Sequence, residues 1–197
     1  MNNTGITKYI IVNKPLKLDC GKEISNFKIA YETYGKLNEK RDNAILAFHA
    51  LTGDQFASGI NPITKKEGWW NHALGSGKAI DTNKFFVICA NVIGGCMGSY
   101  GPSSIDDETN KPIGTNFPVI TINDMVNAQY NLLDHFKIEK LFGVVGGSMG
   151  GMQVLQFVSN FPQKARIAVP IACTASHSAQ NIAFNELGRQ AIMADVN

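Results

Sequence analysis

Four short, nearly uninterrupted apolar runs punctuate the chain: Ala44–Phe48, Phe85–Ala90, Leu141–Val145 and Ala165–Ile171. Such runs predict strands buried on both faces of a sheet. Between and after them the apolar spacing turns helical. Thr121 is a plausible N-cap for a helix whose stripe is Met125, Leu132, Leu133 and Phe136. A second helix is expected over Met149–Asn160, with Pro162 just past its end, and a third over Ala175–Ala194. Gly68 to Ile80 reads as partly helical. Ahead of all this, Tyr9–Lys17 alternates loosely, Asp19–Lys22 is a turn, and Ile24–Tyr34 places Phe27, Ile29 and Tyr31 on one face. That predicts an antiparallel hairpin, joined by the polar connection Gly35–Asn43 to the first buried strand. Strands alternating with helices predict a mostly parallel α/β sheet entered by a hairpin. No repeat or linker divides the chain, so residues 1–197 read as one domain.

Composition narrows the picture without redirecting it. The 197 residues are 44% hydrophobic and 17% charged, with a net charge of +2. That charge is too small to argue for nucleic acid or an anionic membrane as partner, and no apolar run approaches the ~20 residues of a membrane span. Met1–Gly5 has neither a basic region nor an apolar core, so no signal peptide is expected. Cys20, Cys89, Cys96 and Cys173 form no Cys-x-x-Cys pair. They are expected to be reduced thiols in the cytoplasm, with Cys89 a small core residue. No His, Cys, Asp or Glu set has the spacing of a metal site.

In open α/β sheets, sites lie at the carboxyl ends of the strands, and three unusual segments are expected there. The third buried strand runs into Gly146-Gly147-Ser148-Met149-Gly150-Gly151. Strand, glycine-flanked serine and helix in that order are the setting of a nucleophile elbow. The first buried strand runs into His49-Ala50-Leu51-Thr52-Gly53, and the second into Asn91 to Pro102, rich in glycine. Acyl chemistry needs N–H donors aimed at an oxyanion. The N–H after the nucleophile, Met149, and one from the first loop, Leu51, are the candidates. Thr52, Gly53, Gly95 and Cys96 are the candidate substrate contacts. The second loop lacks the lysine of a phosphate-binding loop. Cys96 has no adjacent histidine or helix N-terminus to activate it as a rival nucleophile.

A serine nucleophile also needs a base and an acid that orients it. In this arrangement the order is serine, acid, histidine. After Ser148 the one histidine is His177, with no Asp or Glu between them. His49 is placed to hold its loop rather than to move protons. The expectation is an N-terminal piece of a longer enzyme, with the acid and base beyond residue 197.

The three loop motifs, with Ser178–Asn185 and Arg189-Gln190-Ala191, resemble the homoserine O-acetyltransferases of the α/β-hydrolase superfamily along essentially the whole chain. That resemblance implies an α/β-hydrolase fold and acetyl transfer from acetyl-CoA to L-homoserine, through an acyl-Ser148, in methionine biosynthesis. It implies Leu51 and Met149 as backbone oxyanion donors, no bound cofactor, a helical lid begun at residues 175–197, and a homodimer of the full-length enzyme. The alternatives are a homoserine O-succinyltransferase, a serine esterase with the same elbow, and a catalytically silent fragment.

Overall fold

The computed structural model describes residues 7–106 and 109–195. Met1–Gly5, read above for a targeting signal, and Val196 and Asn197 lie outside the described residues. The elements in chain order are β1 (Lys8–Val12), β2 (Leu16–Lys17), β3 (Glu23–Ile24), β4 (Phe27–Tyr34), β5 (Ala44–Phe48), β6 (Leu74–Gly75), β7 (Ile80–Asp81) and β8 (Phe86–Ala90). Then come α1 (Ile122–Phe136), β9 (Leu141–Gly147), α2 (Met149–Asn160), β10 (Ala165–Ile171) and α3 (Ala179–Ala194).

Six strands form the central sheet in the order β1-β4-β8-β5-β9-β10. The strands β8, β5, β9 and β10 run parallel. β4 is antiparallel to both β1 and β8. The expected entry hairpin is therefore present. It is a long hairpin, because the two-stranded flap β2–β3 is inserted between β1 and β4. β5 and β8 are buried along their whole length, as continuous apolar runs require.

One face of the sheet is covered by α1 and α2. Leu46, Phe48 and Val144 of the sheet meet Leu132, Leu133, Val154 and Phe157 of the helices. Thr121 caps α1: its side chain accepts from the Asp124 N–H while the Asp124 side chain accepts from the Thr121 N–H. This reciprocal arrangement satisfies two orphan donors of the first turn. The other face carries Ile45, Ala47, Val87, Cys89 and Val145, under Leu74, Trp69 and Trp70.

Three expectations change. Gly68 to Ile80 is not helical; it is turns and the short pair β6–β7. Gly75 and Gly77 sit at φ +153° and +70°, incompatible with a right-handed helix. Trp69 is held instead by its indole N–H, which donates to Asp54 O at 2.8 Å. β10 is a strand as expected, but it is not buried. Ile167, Val169 and Ile171 are each more than 40% exposed, and they border an apolar groove of about 340 Å³ with Trp70, Phe142 and Val145. α3 begins at Ala179 rather than Ala175 and is exposed along its length.

β8 lies on one side of β5 and β9 on the other. The chain's direction of winding therefore reverses at β5. The loops after β5, β8 and β9 meet around that switch point, where open α/β sheets build their sites.

Candidate active site

Ser148 stands between the end of β9 and the first residue of α2, at φ 55° and ψ −122°. A non-glycine residue there is strained by about 1–3 kcal/mol and persists only when its surroundings over-determine it. The surroundings do so through close backbone contacts. A Cβ on Gly146 would lie 2.5 Å from the Gly150 carbonyl carbon and 2.9 Å from Phe48 O. A Cβ on Gly150 would overlap Phe48 O and stand 2.8 Å from the Phe48 carbonyl carbon. A Cβ on Gly151 would meet Cys173 Sγ at 2.7 Å. The helix thus rests directly on the ends of β5 and β10. Ser148 N–H donates to Ile171 O at 3.0 Å, tying the turn to β10. The serine is exposed, and among the described residues its hydroxyl has no hydrogen-bond partner.

Met149 is the first residue of α2. Its N–H is one of the helix's orphan donors, and negative charge is favoured at that end. After β5, Gly53 N–H donates to Ala50 O at 2.9 Å, closing a tight turn with Leu51 and Thr52 at its tip. Leu51 is 77% exposed. Leu51, Gly53 and Met149 line one cleft together with Gly94, Gly95 and Cys96. Five of the seven sequence-derived site residues therefore share a cleft. Thr52 is exposed but lines neither this cleft nor the neighbouring one. Ser148 lines that second cleft, of about 480 Å³, with Met152, Cys173, His177, Asn181 and Asn185.

His49 organises the first cleft from beneath. It is 2% exposed. Its Nδ1 lies 2.7 Å from Ala50 O, which can only accept, so Nδ1 carries the proton. Nε2 is then free to accept the Val92 N–H at 3.2 Å. Burial holds the imidazole below its usual pKa, against the opposing pull of the Ala50 carbonyl and of Asp54. It is a neutral strut joining the β5 loop to the β8 loop, as its position in the sequence suggested. Asp54, close by, is pushed up by burial, while the Phe56 N–H and Asn61 amide oppose the shift.

The β8 loop is folded on itself. Met97 N–H donates to Asn91 Oδ1 at 3.1 Å, Ser99 Oγ donates to Asn91 O at 2.5 Å, and Gly94 N–H donates to Tyr100 O at 2.7 Å. These bonds turn Gly94, Gly95 and Cys96 toward the cleft.

Sequence reasoning missed Gln153. It is buried on α2, where its amide donates to His49 O at 3.4 Å and its oxygen accepts from Gln129 at 2.7 Å. It links the nucleophile helix to the end of β5. The signal was present: Gly150, Gln153, Val154 and Phe157 occupy one helical stripe, and a glutamine there is a polar residue committed to the core. Asn181 and Asn185, one turn apart on α3, were also missed as walls of the Ser148 cleft. Among the described residues no three His, Cys, Asp or Glu side chains gather as a metal site requires. No helix among them is long and apolar enough to cross a membrane.

A mostly parallel sheet with a serine elbow at its switch point defines a class, and comparison with known proteins agrees. The profile of the alpha/beta hydrolase fold family matches residues 43–190, and the chain belongs to that family. Within it, the chain is 77% identical over all 197 residues to the homoserine O-acetyltransferase of Pelagibacter ubique, covering 53% of that protein. The homoserine O-acetyltransferase of Bacillus anthracis superposes with a TM-score of 0.72 at 34% identity, over 81% of this chain and 44% of that one. Esterase E22 superposes with a TM-score of 0.88 at 33% identity, over 97% of this chain and 54% of that one. The chain spans about half the length of the curated relatives it matches.

Proposed function

We propose that Ser148 is the nucleophile of an acyltransferase that moves an acetyl group from acetyl-CoA to the hydroxyl of L-homoserine, in methionine biosynthesis. The observation that carries this reading is the 77% identity to a homoserine O-acetyltransferase across the whole chain. The elbow supports it with a serine whose hydroxyl is exposed and unshared among the described residues.

In the first half-reaction, Ser148 Oγ attacks the thioester carbonyl. A C–O bond forms, the C–S bond breaks, and the serine proton passes through a base to the departing thiolate. In the second, the homoserine hydroxyl attacks the acyl-serine, and its proton returns to Ser148 Oγ by the same base. Each step passes through an oxyanion, which the Leu51 and Met149 N–H groups stabilise. Loss of one such donor costs about 2.7–4 kcal/mol of transition-state stabilisation. The reaction needs no bound cofactor.

Among the described residues no imidazole is hydrogen-bonded to Ser148. His177 lines the same cleft without such a bond. In a protein of the relatives' length, the base and its acid partner come from the half that these residues do not span. The same half completes the lid over α3 and the homodimer, and the enzyme works in the cytoplasm.

The likeness to esterase E22 supports a second reading, in which water discharges the acyl-serine. Mass spectrometry of the full-length gene product after exposure to acetyl-CoA separates the two. The transferase holds its acetyl group until homoserine is added, then releases it to homoserine. Discharge at the same rate with and without homoserine would establish the esterase.

A further inference from the structure

The buried ring of His49 spends both of its nitrogens on backbone, one in each loop of the site. Val92 N–H donates to Nε2 at 3.2 Å, and the Asn91 amide nitrogen lies 3.4 Å from the same atom. That amide is oriented by its own oxygen, which accepts the Met97 N–H at 3.1 Å. Two donors from the β8 loop therefore face Nε2, and the ring proton sits on Nδ1. Nδ1–H in turn donates to Ala50 O at 2.7 Å.

The Ala50 carbonyl shares one planar trans peptide with the Leu51 N–H. In such a peptide the C=O and the N–H point in opposite directions, so whatever fixes the oxygen aims the N–H. Ala50 O accepts two bonds, one from the His49 ring and one from Gly53 N–H at 2.9 Å. The turn bond alone is a single constraint on a peptide at an exposed tip. The ring supplies the second constraint, and its bond is the shorter. The preceding peptide is held from another side, where Gln153 Nε2 donates to His49 O at 3.4 Å. Among the described residues the Leu51 N–H makes no hydrogen bond, so it is free for a ligand oxygen.

We infer that His49 is a positioning residue for acyl transfer: its ring aims the Leu51 N–H through the Ala50 carbonyl, and the β8 loop fixes the proton on the ring nitrogen that does so. The inference deepens the proposed function and rests on the Leu51 N–H being an oxyanion donor. It makes that donor a product of two loops. The β8 loop, which turns Gly95 and Cys96 toward the cleft, acts on Leu51 through one imidazole. His49 itself moves no proton in the reaction.

A histidine that merely filled the core would tie rate to stability. The two can be separated, because each ring nitrogen has its own near-isostere. Asparagine places an amide where Nδ1 stands, and glutamine places one where Nε2 stands. His49→Asn keeps a donor for Ala50 O and leaves the N–H of buried Val92 unmet. His49→Gln keeps an acceptor for Val92 N–H and loses the bond to Ala50 O, which retains Gly53. An unmet buried donor is the costlier loss, so His49→Asn should have the lower urea midpoint of the two.

Acylation is read in the full-length gene product as the burst of p-nitrophenol over a range of p-nitrophenyl acetate concentrations. A mis-aimed donor should cost about 10- to 100-fold, short of the ~10²–10³ of a donor removed. His49→Ala and His49→Gln should lose that much in the limiting burst rate, with the half-saturating concentration unchanged. His49→Asn should recover most of the loss despite its lower stability. Crystal structures of the same proteins give a reading that does not depend on Ser148. The Ala50–Leu51 peptide should be turned in His49→Gln and keep its wild-type orientation in His49→Asn. Equal burst rates for the two variants, rates that rank with the urea midpoints, or an unmoved peptide in His49→Gln overturns the inference. A peptide turned only in His49→Gln, with no acetyl group on Ser148 in the wild type, would leave the aiming role of His49 standing and overturn the assignment of the nucleophile.

Discussion

Replacing Gly150 with alanine places one methyl group where the fold has no room. The new Cβ overlaps Phe48 O, and stands 2.8 Å from the Phe48 carbonyl carbon and 3.0 Å from His49 O. These are backbone atoms. Phe48 is paired in register with Ala90 on one side and Gly146 on the other, so β5 cannot yield and α2 must. A retreat of about 1 Å carries Ser148 and the Met149 N–H with it. Overpacking of this kind costs about 1–3 kcal/mol. The gain in helix propensity from glycine to alanine, at most about 1 kcal/mol, offsets part of that. A net loss of about 1–2 kcal/mol is expected in urea denaturation followed by circular dichroism. A displacement of ~1 Å at a reacting group costs ~100-fold in rate, so the burst of p-nitrophenol from p-nitrophenyl acetate should slow by that order. Gly147→Ala is the control. A Cβ there meets nothing within 4 Å, so its stability should stay within about 0.5 kcal/mol of wild type. The close-contact account fails if Gly150→Ala is as stable and as fast as wild type, or if Gly147→Ala is equally damaging.

Ser148→Gly and Ser148→Ala should both abolish acylation, yet the glycine variant should be more stable than the alanine variant by about 1–2 kcal/mol, because only glycine sits at φ 55° without strain; equal urea midpoints would remove strain from the account. The His49 pKa is lowered by burial, so the unfolded chain takes up a proton that the folded chain resists. Stability should be full above pH ~6.5 and decline below it as the pH falls toward the folded pKa. His49→Gln should flatten that decline between pH 7.5 and 5.5, measured by urea midpoints. Asp54, raised by burial, has the opposite sign, with stability lost as pH rises through its folded pKa, and it is present in both proteins. Gln153→Met keeps the volume but removes the bond to His49 O and the shorter of the two bonds made by the Gln129 amide, whose remaining acceptor is Met125 O at 3.3 Å. A loss of about 1–3 kcal/mol and slower acylation should follow; an unchanged burst rate would show that α2 is positioned without it.

Much of this architecture is legible in the amino-acid sequence. Ala44–Phe48 and Phe85–Ala90 read as buried strands because their apolar runs are continuous, and Thr121 read as a cap because it precedes a helical stripe. Gly146 and Gly150 announced close backbone approach. What escaped depends on contacts far apart in the sequence. Gly68–Ile80 has helix-like apolar spacing, but its conformation is set by Trp69 bonding to Asp54 and by glycines at positive φ. β10 has the composition of a buried strand, yet Ile167 is 48% exposed. Local pattern reports the capacity to be covered, and coverage itself depends on what packs there. Gln153 was unassigned because its partners, His49 and Gln129, lie 104 and 24 residues away.

The central claim is that Ser148 carries an acyl group on its way from a thioester to an amino-acid hydroxyl. The most direct test is peptide mass spectrometry of the full-length gene product quenched after mixing with acetyl-CoA, before and after a pulse of L-homoserine. One acetyl group is expected on the peptide containing Ser148, absent in Ser148→Ala, and cleared by homoserine with one equivalent of O-acetylhomoserine formed. No acetyl group on that peptide, or an acetyl group that persists in Ser148→Ala, would contradict it.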